Sequence, residues 1–156
     1  MTQHKLTIRD DSCTGIEIID RQHREIIERY NDLLCMVATR SDSAVHTAAL
    51  DRIVEAAKYH FWYEEKLLEE SGYPDLASHR AEHARLLQQI TAWAEQSRQG
   101  RLNLSSGTLK LIRSWLLSHM AGSDQQYVAH VNAARCSDGP VTAAKADPLL
   151  GAVPAG

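Results

Sequence analysis

The chain has 156 residues, of which 44% are hydrophobic and 24% charged, with a net charge of −3 and a pI near 6.2. That is one soluble domain's worth of chain, long enough to bury roughly 70% of its unfolded surface without disulfide staples. No basic excess exists to neutralise a phosphate backbone, which excludes nucleic acid as a partner, and no apolar run approaches 18 residues, which excludes membrane insertion.

The opening MTQHKLTIRD has no apolar core for a signal peptide. Cys13, Cys35 and Cys136 are odd in number and widely spaced, which suits reduced thiols and disfavours a cysteine-based zinc site. Both features predict a cytoplasmic protein.

Residues 1–18 read as a non-helical arm. Four segments then show the 3.6-residue apolar rhythm of amphipathic helices. The first runs from about Asp20 to Thr39, with Ile19, Ile26, Ile27, Tyr30, Leu33, Leu34 and Val37 as its stripe and Asp20 as the expected N-cap. The second runs from about Ser43 to Ser71, marked by Leu50, Ile53, Val54, Ala57, Phe61, Leu67 and Leu68, with Gly72 as its C′ residue. The third starts near Asp75, just after Pro74, and ends before Gly100; the fourth runs from Ser105 or Ser106 to about Arg135. Pro74 is the only proline before Pro140, so long helices are possible. Short connections make neighbours antiparallel. The expected fold is all-α, an up-down-up-down four-helix bundle over residues 1–136, followed by a flexible Ala/Pro/Gly-rich tail over 137–156.

The inner stripes should be apolar, yet histidine and carboxylate interrupt all four. His23 falls in register with Ile19 and Ile26. His60 and Glu64 lie four apart, in register with Ile53 and Leu68. His79 and His83 lie four apart, in register with Leu76 and Ile90. His119 follows Ile112 and Leu116, and Asp124 comes five residues later. Residues four apart stack on one helix face, so each i,i+4 pair can grip one object. The five-residue step puts His119 and Asp124 about 140° apart on an ideal helix. Either the helix widens locally near Gly122, or the two residues reach the object from different sides.

Each group alone has a plainer explanation: an inward His is usually hydrogen-bonded in a core, and a helical Glu is usually solvated, as Glu65, Glu69 and Glu70 are read here. Together, five imidazoles and two carboxylates aimed inward without Lys or Arg to pair them point to a shared cation, because an unpaired buried carboxylate costs several kcal/mol. Seven ligands exceed a tetrahedral zinc site. Imidazole with carboxylate suits iron, and five imidazoles disfavour calcium and magnesium. Two ions bridged by Glu64 and Asp124 use every ligand and leave one ion a coordination position short. The Glu-x-x-His pairs of ferritin-like centres are absent, as are HExxH, GxSxG and Gly-rich phosphate loops.

The segments GIEIIDRQHREI, YHFWYEEKLLEESGYP, HRAEH and WLLSHMAGSD resemble the hemerythrins, in particular their single-domain bacterial form, the bacteriohemerythrins, over about residues 13–131. The resemblance implies that His79, His83 and His119 hold a coordinatively saturated iron, that His23 and His60 hold the open one, and that Glu64 and Asp124 bridge them beside an oxo or hydroxo group. It implies reversible dioxygen binding by a carrier, store or delivery protein that is not an enzyme, with an oxygen-consuming enzyme or a reductase as further partners. A sensor of oxygen, NO or redox state, or a di-iron oxidase or peroxidase, is the alternative. Phe61, Trp115, Leu116 and Met120 would wall an apolar oxygen pocket, and the hydroxyls of Tyr73 and Tyr127 would support the ligands; plain core packing accounts for these side chains equally well. The family's usual arm tryptophan is missing from KLTIRDDSCTGIE, and Met120 stands where Ile or a similar residue is usual. His4, His46 and His130 match no ligand position and are expected at the surface.

Overall fold

A computed structural model describes residues 5–7 and 13–137. Of the tail expected over 137–156 only Ser137 is described, as the last residue of a helix; the rest, and His4, lie outside the described residues. Helix α1 spans Glu17–Ala38, α2 Ser43–Glu70 and α3 Leu76–Arg98. The fourth helical rod begins as α4, Ser106–Ser118, passes through a π-helical turn, His119–Ser123, and continues as α5, Asp124–Ser137. No strand occurs among the described residues. Helix α2 packs along α1 and α3, while α4 leans on α1 and α5 on α2. The arrangement is the expected antiparallel four-helix bundle.

Local chemistry sets the helix ends. The Asp42 carboxylate accepts from Val45 N at 3.0 Å, and Ser105 Oγ accepts from Thr108 N at 3.3 Å, each relieving an amide that the first turn leaves open. Helix α2 ends as expected at Gly72. Its φ is +66°, and Gly72 N and Tyr73 N donate back to Glu69 O and Leu68 O at 3.1 and 2.9 Å, the paired closure of a Schellman motif. Arg40, at φ +56°, plays the same part after α1, with Arg40 N and Ser41 N donating to Val37 O and Met36 O.

Asp20 is not the N-cap expected of it. The helix starts earlier, after Ile16, and Asp20 sits in its first turn as a clamp. Asp20 Oδ1 accepts from Thr14 N and Thr14 Oγ1 at 2.7 and 2.8 Å, and Oδ2 accepts from Gly15 N at 3.0 Å. The carboxylate folds the incoming chain back over the helix start instead of closing the start itself. Further out, Leu6 is buried, and Asn31 pins it by accepting from Leu6 N and donating to Leu6 O, both at 2.8 Å. Lys5–Thr7 and residues 13–16 carry no helix, as expected of the arm, but the arm expected over 1–18 is shorter, because α1 already includes Glu17 and Ile18.

The apolar interior falls into two clusters. The larger holds Ile26, Ile27, Tyr30, Leu33, Leu50, Ile53, Ile90, Leu109, Ile112, Leu116 and Met120. The smaller holds Ile16, Ile19, Leu68, Tyr73, Tyr127 and Val131. Tyr30 OH donates to Leu109 O at 3.1 Å, tying α1 to α4 within the larger one. A polar layer lies between the two clusters, and every rod contributes to it.

Candidate metal centre

The layer can be read along each helix. His23 falls between Ile19 of one cluster and Ile26 of the other; His60 and Glu64 fall between Val54 and Leu68; His79 and His83 lie between Leu76 and Ile90; His119 and Asp124 lie between Leu116 and Tyr127. Helical periodicity carries these polar side chains onto the same inward stripe as their apolar neighbours. All seven are buried, Glu64 and Asp124 completely. No Lys or Arg is buried among the described residues, so imidazoles are the carboxylates' only buried basic company.

The seven fall into two overlapping groups whose potential ligand atoms lie within 4.8 Å of one another: Glu64, His79, His83, His119 and Asp124 in one, and His23, His60, Glu64 and Asp124 in the other. The two carboxylates belong to both. Glu64 Oε2 lies 2.9 Å from His60 Nε2, and its Oε1 lies 2.7 Å from His79 Nε2. Asp124 Oδ2 lies 3.1 Å from His23 Nε2, and its Oδ1 lies 3.2 Å from His119 Nε2. Each carboxylate therefore turns one oxygen to each group.

The π-helical turn settles the awkward step on the fourth rod. It widens the backbone between His119 and Asp124, so that residues five apart reach one centre. Of the two possibilities left open by spacing, local widening is the one observed. A Cβ built at Gly122 would meet nothing within 4 Å, so the turn leaves room for a side chain there.

The Nε2 atoms face inward, and the Nδ1 atoms that have partners face outward. His60 Nδ1 lies 3.1 Å from Gln22 Oε1, His83 Nδ1 lies 2.9 Å from Glu65 Oε1, and His119 Nδ1 lies 3.0 Å from Glu82 Oε1. Each Nδ1–H thus donates to an acceptor, and this selects the tautomer with an Nε2 lone pair pointing in. His83 Nε2 and His119 Nε2 stand 3.1 Å apart, and His23 Nε2 and His60 Nε2 stand 3.2 Å apart. Neutral His83 and His119, each with its Nδ1–H donated outward, would face lone pair to lone pair, and a proton or a metal ion between them removes the repulsion. Both oxygens of Asp124 are buried without a hydrogen-bond donor among the described residues. This donor set fits a cation, and imidazole with carboxylate fits iron better than a hard alkaline-earth ion.

The electrostatics follow from burial against these neighbours. Burial pushes His83 down to about 2 and lowers His60 against the pull of Glu64. Burial would raise Glu64, but His60, His79 and His83 hold it well below the usual carboxylate range. His119 is opposed by burial yet raised overall by Asp124, Glu82 and Glu64. Glu82 is lowered to about 2, chiefly by its bond from His119. Burial, then the charges of Glu64 and Asp124, raise the Tyr127 phenol.

Phe61 stacks on His83 with ring centroids 4.0 Å apart and meets His119 edge-on at 5.5 Å. Leu116 and Met120 are buried in the larger cluster, and Trp115 is partly buried against it. Tyr127 meets His79 edge-on at 5.7 Å, and Tyr73 packs one ring further out, on Tyr127 and His130. His46 and His130 are half-buried, not surface residues as expected; His130 Nε2 donates to Ser71 O at 2.8 Å.

Sequence reasoning missed the outward acceptors. Glu65, read as solvated, bonds His83; Glu82 accepts from both His119 and Ser123, the latter at 2.7 Å; Gln22 is buried behind His60. Their only trace in the sequence is adjacency: Gln22 precedes His23, Glu65 follows Glu64, and Glu82 precedes His83.

A model of the hemerythrin HHE cation-binding domain matches residues 14–131, and the chain belongs to that family. It is 34% identical over 128 residues to a bacteriohemerythrin of Stenotrophomonas maltophilia, covering 82% of each chain. A bacteriohemerythrin of Methylococcus capsulatus is 29% identical over 114 residues, covering 73% of this chain and 86% of its own. A crystal structure of wild-type hemerythrin superposes with a TM-score of 0.76 at 26% identity, covering 82% of this chain and 98% of that one.

Proposed function

We propose that this protein binds dioxygen reversibly at a pair of iron ions, as a cytoplasmic carrier, store or delivery module and not as an enzyme. The observation that carries the reading is the sharing of Glu64 and Asp124 between two groups of inward imidazoles, three in one and two in the other. His79, His83 and His119 would hold one ion, His23 and His60 the other, and the two carboxylates would join them beside a bridging oxo or hydroxo group. Such a pair would supply the two electrons that reversible dioxygen binding needs, with His23 and His60 marking the side that has fewer imidazoles.

The chain's own residues then have three tasks. The seven donors hold their geometry because each is packed into a rod between two apolar clusters. Phe61, Leu116, Met120 and Trp115 keep water and its protons from the centre, since an apolar lining strengthens every charge interaction inside it. Tyr127, fully buried beside His79, closes the side toward the smaller cluster, with Tyr73 behind it. Dioxygen is the partner proposed; an oxygen-consuming enzyme or a reductase would take or restore what the centre holds. Among the described residues no helix is long and apolar enough to cross a membrane.

An optical cycle tests this. Iron-loaded protein prepared under argon is exposed to air, then returned to vacuum. A visible charge-transfer band should appear, vanish and reappear over several cycles. A band that decays once and does not return identifies an oxidase-type reaction and overturns reversible binding.

A further inference from the structure

The acceptors behind the imidazoles are not the same on the two sides. On the side of three imidazoles, His83 and His119 donate to the carboxylates of Glu65 and Glu82. On the other side, His60 donates to a neutral amide, Gln22, and His23 Nδ1 is buried with no hydrogen-bond partner among the described residues. We propose that Glu65, Glu82 and Gln22 are positioning residues that make the two metal subsites unequal: the carboxylate-backed side binds its ion tightly, and the amide-backed side holds the weak, exchangeable ion. The proposal rests on the paired-ion reading above.

The chemistry is that of an outer acceptor acting through the ring. A carboxylate that accepts Nδ1–H draws the proton toward itself and raises the electron density on Nε2, which strengthens the bond to a metal; an amide oxygen orients the ring but adds no charge. Such partners are typically worth about 10–100-fold in metal affinity. The side chains of Glu65 and Glu82 keep 25% and 30% of their surface in solvent. Each is also anchored by a second donor: Arg80 Nε at 3.3 Å on Glu65, and Ser123 Oγ at 2.7 Å on Glu82. Gln22 is buried, and its Nε2 finds no acceptor among the described residues, so that side is held by one neutral bond alone. The subsite with fewer imidazoles is thus also the one with the weaker backing.

Stepwise anaerobic titration of the metal-free full chain with ferrous iron, followed by calorimetry and iron analysis, tests the proposal. The parent should take up two ions in two resolved steps. Glu65→Gln and Glu82→Gln keep an acceptor oxygen and lose only the charge; each should weaken the first step about tenfold and leave the second within about twofold. Gln22→Glu should tighten the second step about tenfold and narrow the gap. Glu82→Gln should also raise the reduction potential of the three-imidazole iron, because a lost negative charge favours the ferrous state. A role in geometry alone would leave the Gln variants like the parent. That result overturns the proposal, as would equal weakening of both steps, an unmoved second step in Gln22→Glu, or two steps of equal affinity in the parent. Uptake of a single ion by the parent overturns the paired-ion reading and this proposal with it.

Discussion

His119 Nε2 and Asp124 Oδ1 lie 3.2 Å apart although five residues separate them on one helical rod. The π-helical turn over His119–Ser123 makes this possible, and Glu82 braces it by accepting from both ends, from His119 Nδ1 and Ser123 Oγ. Gly122 is the fourth residue of the turn, with open space where a Cβ would stand. The Gly122→Ala variant should therefore keep the turn and the centre, and gain up to about 1 kcal/mol in urea unfolding from reduced chain entropy. Loss of metal binding in that variant would show that the turn depends on glycine.

Metal removal should cost stability. Glu64 and Asp124 are completely buried, and an ion that binds only the folded chain adds about 2.7 kcal/mol when present at 100 times its Kd. Thermal melts with and without iron should differ by several degrees. Glu64→Ala and Asp124→Ala should each retain fewer than two ions and lose most of that difference. Two ions retained in both variants would remove the carboxylates from the bridging role.

Leu111 and Ile112 are neighbours with opposite surroundings, 61% and 0% exposed. Ile112→Ala should cost about 2–5 kcal/mol, because it opens a cavity in the larger cluster. Leu111→Ala should change stability by less than about 0.5 kcal/mol. Equal effects in denaturant unfolding would mean that the rod is rotated from the orientation described.

Arg40 occupies the left-handed position after α1 at φ +56°, where a side chain with a Cβ is strained by roughly 1–2 kcal/mol. Glycine holds the same position after α2 and α3, at Gly72 and Gly100. Arg40→Gly should stabilise the protein by about 1 kcal/mol in urea unfolding, and a loss of stability would show that the arginine side chain makes a compensating contact.

Much of the centre was legible because helices repeat. His60 with Glu64, and His79 with His83, are four apart and in register with buried leucine and isoleucine, so their convergence could be read from spacing. The step from His119 to Asp124 could not be resolved that way, since a π turn costs one residue of register and leaves no compositional mark. Asp20 looked like a cap because an acidic residue preceded an apolar stripe; its partners, Thr14 and Gly15, lie upstream and show only once the chain folds back. Leu6 carries no periodicity in a polar arm, so its burial depends on Asn31, a residue of another element. Glu65 and Glu82 lie among other charged residues and read as a solvated face. Only the crossing of α2, α3 and the fourth rod reveals that they back His83 and His119.

Anomalous diffraction at the iron edge from crystals of the iron-loaded chain would locate the ions and their ligands in one measurement. Two peaks are expected, both bound by Glu64 and Asp124, one ringed by His79, His83 and His119 and the other by His23 and His60. A single peak, or two that share neither carboxylate, would contradict that arrangement.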